Sequence, residues 1–126
     1  VQALNGEPVT IYGDGSQTRS FCYVEDEIEG IYRLFNRGDA NPTNIGNPVE
    51  YTVKQLAEIV VELTQTKSQI SFKPLPEDDP KVRQPDISRA RKMLQWEPRV
   101  DVREGISRTI DYFRGLLGTP RMAARR

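Results

Sequence analysis

Residues 9 to 26 read Val-Thr-Ile-Tyr-Gly-Asp-Gly-Ser-Gln-Thr-Arg-Ser-Phe-Cys-Tyr-Val-Glu-Asp. The β-branched run Val9 to Tyr12 predicts a short strand, and Gly13-Asp14-Gly15 a tight turn. A second strand is expected from Ser20 to Val24, running into a helix. Arg19 stands at the start of that strand, next to backbone that glycine leaves free to approach a ligand. Its guanidinium is a planar fork of donors that fits phosphate oxygens. The competing reading of Arg19 is a surface ion pair with Asp14 or Glu25. Gly13-Asp14-Gly15 also opens like a dinucleotide-binding Gly-x-Gly-x-x-Gly. The third position is Thr18, however, and the segment leads to a strand rather than to the helix N-terminus that such a loop needs.

Outward from this stretch, helices and strands alternate, which predicts a mixed α/β arrangement. Val24, Ile28, Ile31 and Phe35 recur at helical spacing and form one apolar face. Gly38, Asn41 and Pro42 end that helix, and Thr43 to Gly46 reads as a short strand. Thr52-Val53-Lys54-Gln55 is a capping box, opening a helix with the stripe Val53, Leu56, Ile59, Val60 and Leu63. A strand is expected at Gln69 to Lys73. The loop from 73 to 85, with prolines at 74, 76, 80 and 85, is irregular but stiff. Asp86 caps a short helix that turns Ile87, Ala90 and Leu94 inward, and Trp96 and Pro98 form a corner. Asp101 to Glu104 is a second capping box. The helix after it carries a core face of Val102, Ile106, Ile110, Phe113 and Leu117. Upstream, Val1 to Gly6 reads as the last turn of a helix closed by glycine, so the expectation is a piece of a longer polypeptide.

Composition excludes several function classes. The 126 residues make one domain or part of one. The 18 basic and 18 acidic residues cancel, whereas a general binder of nucleic acid or membrane surfaces carries excess positive charge. Neither partner is expected, and any anion site must be local. The chain has no histidine, the usual proton carrier at neutral pH and the commonest metal ligand. One cysteine allows no internal disulfide and no Cys-x-x-Cys site, and it fits a reducing, cytoplasmic setting. No apolar run approaches the ~20 residues that span a bilayer.

Few side chains remain to carry chemistry. Arg83, in Lys81-Val82-Arg83-Gln84-Pro85-Asp86, is placed by a stiff loop to reach an anion across a cleft, against the alternative of a solvated charge. Three adjacent acids, Glu77, Asp78 and Asp79, lack the histidine or glycine-turn context of a metal site, and no metal is expected. Cys22, between aromatics, reads as a packed thiol, and Trp96 as a core plug. Tyr12 ends its strand at the candidate site. No serine–histidine or cysteine–histidine pair exists, and no tyrosine is followed four residues later by lysine.

The run Ile11-Tyr12-Gly13-Asp14-Gly15-Ser16-Gln17-Thr18-Arg19 and then Tyr23-Val24-Glu25-Asp26 resembles the extended short-chain dehydrogenases/reductases that act on nucleotide sugars. Asn44-Ile45-Gly46-Asn47-Pro48, Asp78-Asp79-Pro80 to Pro85-Asp86-Ile87 and Leu94-Gln95-Trp96-Glu97-Pro98 extend the resemblance over almost the whole chain. Gln17-Thr18-Arg19 and Asn47-Pro48 make it most similar to the branch that decarboxylates UDP-glucuronate to UDP-xylose. A dTDP-glucose 4,6-dehydratase, a UDP-sugar 4-epimerase and a non-catalytic remnant are the alternatives. The resemblance implies an α/β C-terminal substrate-binding lobe over residues 1–118, with the Rossmann core largely missing and a flexible basic tail at 119–126. It implies that Tyr12 lines a nucleotide-base pocket, that Arg19 and Arg83 grip a diphosphate, and that Gln17 belongs to the same UDP-sugar site. It also implies that NAD and the catalytic Tyr-x-x-x-Lys belong to the parent enzyme, with neither cofactor nor turnover in this piece. In that enzyme NAD oxidises C4 of the sugar, the β-keto acid loses carbon dioxide, and the hydride returns. Cut from its cofactor domain, the lobe is expected to expose an apolar face and to self-associate as a homodimer or larger species. Gln95 departs from the pattern, since relatives usually carry glycine before the tryptophan.

Overall fold

The computed structural model describes residues 1–75 and 81–118. The expectations for the acids at 77–79 and for the tail at 119–126 lie outside the described residues. The chain opens on a 3₁₀ turn, Ala3–Asn5, closed by Gly6 in the left-handed region at φ 73°, as the glycine signal predicts. Strand β1 (Val9–Tyr12) follows, then β2 (Thr18–Ser20), helix α1 (Val24–Arg37), β3 (Glu50–Thr52), α2 (Val53–Thr64), β4 (Ile70–Lys73), α3 (Ser88–Leu94) and α4 (Val102–Gly118).

The strands form two small sheets. β1 lies parallel to β4, with Val9 opposite Ile70 and Tyr12 opposite Lys73. β2 is antiparallel to β3, with Thr18 opposite Thr52 and Ser20 opposite Glu50. The second strand thus lies at 18–20 rather than 20–24, because its partner supplies only three residues before α2 begins. Beyond Ser20 the chain leaves the ladder, and Phe21 and Tyr23 line an apolar cavity against α2 and α4. The expected strand at Thr43 to Gly46 is absent. Among the described residues, its backbone makes no ladder hydrogen bond.

The capping signals hold to different degrees. Thr52 and Gln55 form the reciprocal box at the start of α2. Asp101 accepts the Glu104 amide at 3.0 Å, while the Glu104 carboxylate pairs with Arg108 instead of closing the box. Asp86 accepts the Ser88 amide at 2.8 Å, one residue before the position that caps α3. The turn at Asp14 is fixed by its own carboxylate, which accepts the Ser16 amide at 2.9 Å and the Ser16 hydroxyl at 2.6 Å. Those bonds hold the Asp14 carboxyl below the usual aspartate range.

The tightest core is Ile87, Ala90, Leu94 and Trp96, with Leu34, Ile45 and Met93 packed on it. Helix α1 approaches it through Gly30, where an added Cβ would stand 2.4 Å from Ile45 Cγ2 and 2.9 Å from Trp96 Cε2. One turn earlier Asp26 is buried, and its carboxylate accepts the amides of Arg99 and Val100 at 2.9 and 2.8 Å. The Trp96 indole donates to the Asp26 carbonyl at 3.1 Å. These contacts turn the Asp26–Gly30 side of α1 inward. The apolar stripe lies on the far side: Val24, Ile28 and Ile31 are half exposed and Phe35 is 88 % exposed. In α4, Val102 and Ile110 are buried, but Leu117 is 48 % exposed and leaves the expected core face. The α2 stripe is half-buried throughout, with Ala57 the buried residue of the helix.

Candidate functional site

Residues 81–85 form a strap across β2 that brings the two arginines together. The Thr18 amide donates to the Lys81 carbonyl at 2.9 Å, and the Ser20 hydroxyl to the Arg83 carbonyl at 3.3 Å. On its other edge the strap lies on the segment from Asn44 to Pro48. There Gln84 Nε2 donates to the Pro48 carbonyl at 2.8 Å and Asn44 Nδ2 to the Asp86 carbonyl at 3.1 Å. Pro85 packs on Gly46, where an added Cβ would meet the proline ring at 3.1 Å.

Between strap, β2 and the 44–47 segment lies an open cavity of about 400 Å³, and Arg19 and Arg83 both line it. Arg19 Nη1 donates to the Thr18 carbonyl at 2.7 Å, which steadies the side chain near the cavity. Among the described residues the Arg83 guanidinium has no hydrogen-bond or ion-pair partner. The Glu27 carboxylate lines the same cavity. Guanidinium forks suit an anion with several oxygens.

Cys22 also lines this cavity. Burial, reinforced by the neighbouring Glu27 carboxylate, pushes its thiol up to about 12. Nucleophilic chemistry needs the thiolate, so Cys22 is an inert wall, as the packed-thiol reading expects.

The other two expected site residues stand elsewhere. Gln17 is buried; its Nε2 donates to the Tyr12 carbonyl at 2.7 Å, and its carbonyl accepts the Val53 amide at 3.0 Å. It ties β1 to the start of α2 and does not line the cavity. Tyr12 is half exposed at the end of β1, next to Lys73, and does not line it either. Conversely, Ser20, Glu27, Asn44, Asn47 and Gln84 do, although residue types gave no reason to single them out. Asn47 is buried, with its Oδ1 accepting the Val49 amide at 3.0 Å. The Gly46-Asn47-Pro48 turn signal was the trace of that wall in the sequence.

Two further cavities differ in chemistry. One, of about 270 Å³, is apolar and lined by Phe21, Leu56, Val60, Ile106 and Phe113 among others. The other, beside Trp96, holds Arg33 and Arg91, which pair with Glu29 and Glu97 at 2.6 and 3.3 Å. Among the described residues no cluster of histidine, cysteine or acids is arranged to hold a metal, and no helix is long and apolar enough to cross a membrane.

The family model described as GDP-mannose 4,6 dehydratase matches residues 1–109. The chain belongs to the extended short-chain dehydrogenase/reductase family. It is 46 % identical over 113 residues to UDP-glucuronic acid decarboxylase 1 of Danio rerio, a match covering 90 % of this chain and 27 % of that protein. It is 48 % identical over 120 residues to UDP-glucuronic acid decarboxylase 3 of Arabidopsis thaliana, covering 95 % and 35 %. The chain therefore spans about a third or less of the length of these relatives. Among solved structures it superposes on a UDP-glucose 4-epimerase of Thermotoga maritima, determined with UDP-glucose, with a TM-score of 0.88 and 34 % identity over 92 % of this chain and 38 % of that one. A UDP-glucuronic acid 4-epimerase of Bacillus cereus, determined with UDP-glucuronic acid and NAD, gives a TM-score of 0.85 and 29 % identity over 91 % and 38 %. The fold is thus the mixed α/β lobe that the family resemblance implies.

Proposed function

We propose that residues 1–118 are the nucleotide-sugar-binding lobe of an NAD-dependent UDP-glucuronate decarboxylase that makes UDP-xylose. The observation that carries this reading is the pair Arg19 and Arg83, distant in sequence and brought to one cavity by the strap. Two guanidinium forks across such a space suit a diphosphate. Likeness to the decarboxylases at 46–48 % identity favours a UDP-sugar, and UDP-glucuronate in particular. Tyr12, at the exposed end of β1, belongs to the nucleotide side of the same site, and Gln17 supports it by holding the Tyr12 carbonyl. The lobe binds and orients the sugar nucleotide.

The residues present do not fit NAD. The Gly13–Gly15 turn leads into β2 and not into a helix. The space beside Gly15 is filled, since a Cβ there would meet Lys54 Cβ at 2.9 Å. No step of the reaction is therefore assigned to this chain, and the dinucleotide and the proton-transfer pair belong to the remainder of an enzyme the length of the relatives. A cytoplasmic setting is part of the same reading, supported by the free Cys22 thiol. Supplying UDP-glucuronate and NAD to the complete enzyme should give UDP-xylose and carbon dioxide. Recovery of the 4-epimer with no carbon dioxide would overturn the decarboxylase assignment in favour of an epimerase.

A further inference from the structure

The strap that carries Arg83 is held differently on its two edges. On the β2 edge both bonds use strap carbonyls, with Thr18 and Ser20 donating; most residues at 81 and 83 would satisfy them. On the other edge a side chain of the strap itself makes the bond. Gln84 Nε2 reaches the Pro48 carbonyl at 2.8 Å. Gln84 follows Arg83 in the chain and lines the same cavity, and Pro48 follows the buried Asn47 at the cavity wall. Arg83 has no protein partner of its own among the described residues, so nothing on its side chain fixes where its charge stands.

We infer that Gln84 is a positioning residue for anion binding: its clip to Pro48 holds the strap across the cavity and so sets Arg83 at the distance where it and Arg19 share one anion. The inference rests on the diphosphate reading above. A preorganised cation binds more tightly than one that must be ordered on binding, because ordering a long side chain and its loop costs entropy. The bond is solvent-exposed, so its net contribution is modest. It contributes through Arg83 and not through contact with the ligand.

The test is a calorimetric titration of the protein with UDP, on the parent, Gln84→Met, Arg83→Ala and the double variant. Methionine keeps length and volume but cannot donate. The expected result is three- to tenfold weaker binding in Gln84→Met with an unchanged melting temperature. In the Arg83→Ala background the same substitution should have no further effect, since the residue it positions is gone; a merely structural role would weaken binding equally in both. Loss in Arg83→Ala with parent-like affinity in Gln84→Met would overturn this inference alone. Equal affinity in Arg83→Ala and the parent, or no binding by the parent, would overturn the diphosphate reading itself.

Discussion

At the scale of single residues, the informative ones perform backbone tasks that their types half announced. Gln95 holds φ 51°, ψ 39° at the end of α3, in the left-handed region where a Cβ meets the following carbonyl. The family resemblance implies glycine at this position, and the strain is the physical content of that departure. Gln95→Gly should therefore raise stability by about 0.5–1 kcal/mol, the relieved strain being partly offset by glycine's larger unfolded-state entropy. Denaturant unfolding with an unchanged slope checks it; a lower midpoint would show that the Gln95 side chain contributes more than its backbone costs. The site residues were legible in proportion to their chemistry. An arginine beside a glycine turn and another on a proline-rich segment stand out, because few residue types bind anions. Gln17 did not reveal its structural task, since an amide reads alike whether it binds a ligand or, as here, a backbone carbonyl. Glu27 and Gln84 were hidden because nothing in local sequence says that residues 27 and 84 face one space.

At the scale of elements, periodicity located the helices and failed to say which way one of them faces. In α1 the stripe Val24, Ile28, Ile31 and Phe35 gives a clean apolar face, and the inward side is Asp26 and Gly30. A buried carboxylate with two amide donors and a glycine that admits Trp96 outweigh the hydrophobic pattern. Short range also explains the strand errors. A strand exists when its partner does, and β3 offers three residues while Thr43 to Gly46 is offered none among those described. Gly30→Ala places a methyl 2.4 Å from Ile45 Cγ2 and 2.9 Å from Trp96, so α1 must move off the core at a cost of about 1–3 kcal/mol. The same substitution at Gly115, where an added Cβ would meet nothing within 4 Å beyond its own stretch of helix, should be neutral or slightly stabilising through helix propensity. Thermal melts of the two variants compare them directly. A stable Gly30→Ala protein would mean that the α1 contact with Trp96 is looser than described.

At the scale of the whole molecule, one side of α1 presents a stripe of exposed apolar residues: Val24, Ile28, Ile31, Tyr32 and Phe35 are each 49–88 % exposed. A contiguous apolar stripe of this kind marks an interaction surface, and a net charge of zero opposes no association. The protein is expected to form dimers or larger species at micromolar concentration, and Phe35→Glu should shift it toward monomer without loss of secondary structure. Light scattering on both decides it, and a monomeric parent that binds no hydrophobic dye would contradict the expectation. On the proposed function, Arg19 and Arg83 make one anion site for the diphosphate of a sugar nucleotide. The most direct test of that pairing is calorimetry with UDP on the parent, Arg19→Ala and Arg83→Ala. Each variant should lose about 1.5–3 kcal/mol of binding free energy, the scale of a charge-assisted hydrogen bond, and Arg19→Lys should recover only part of it because lysine lacks the fork. Unchanged UDP affinity in both alanine variants would contradict the account.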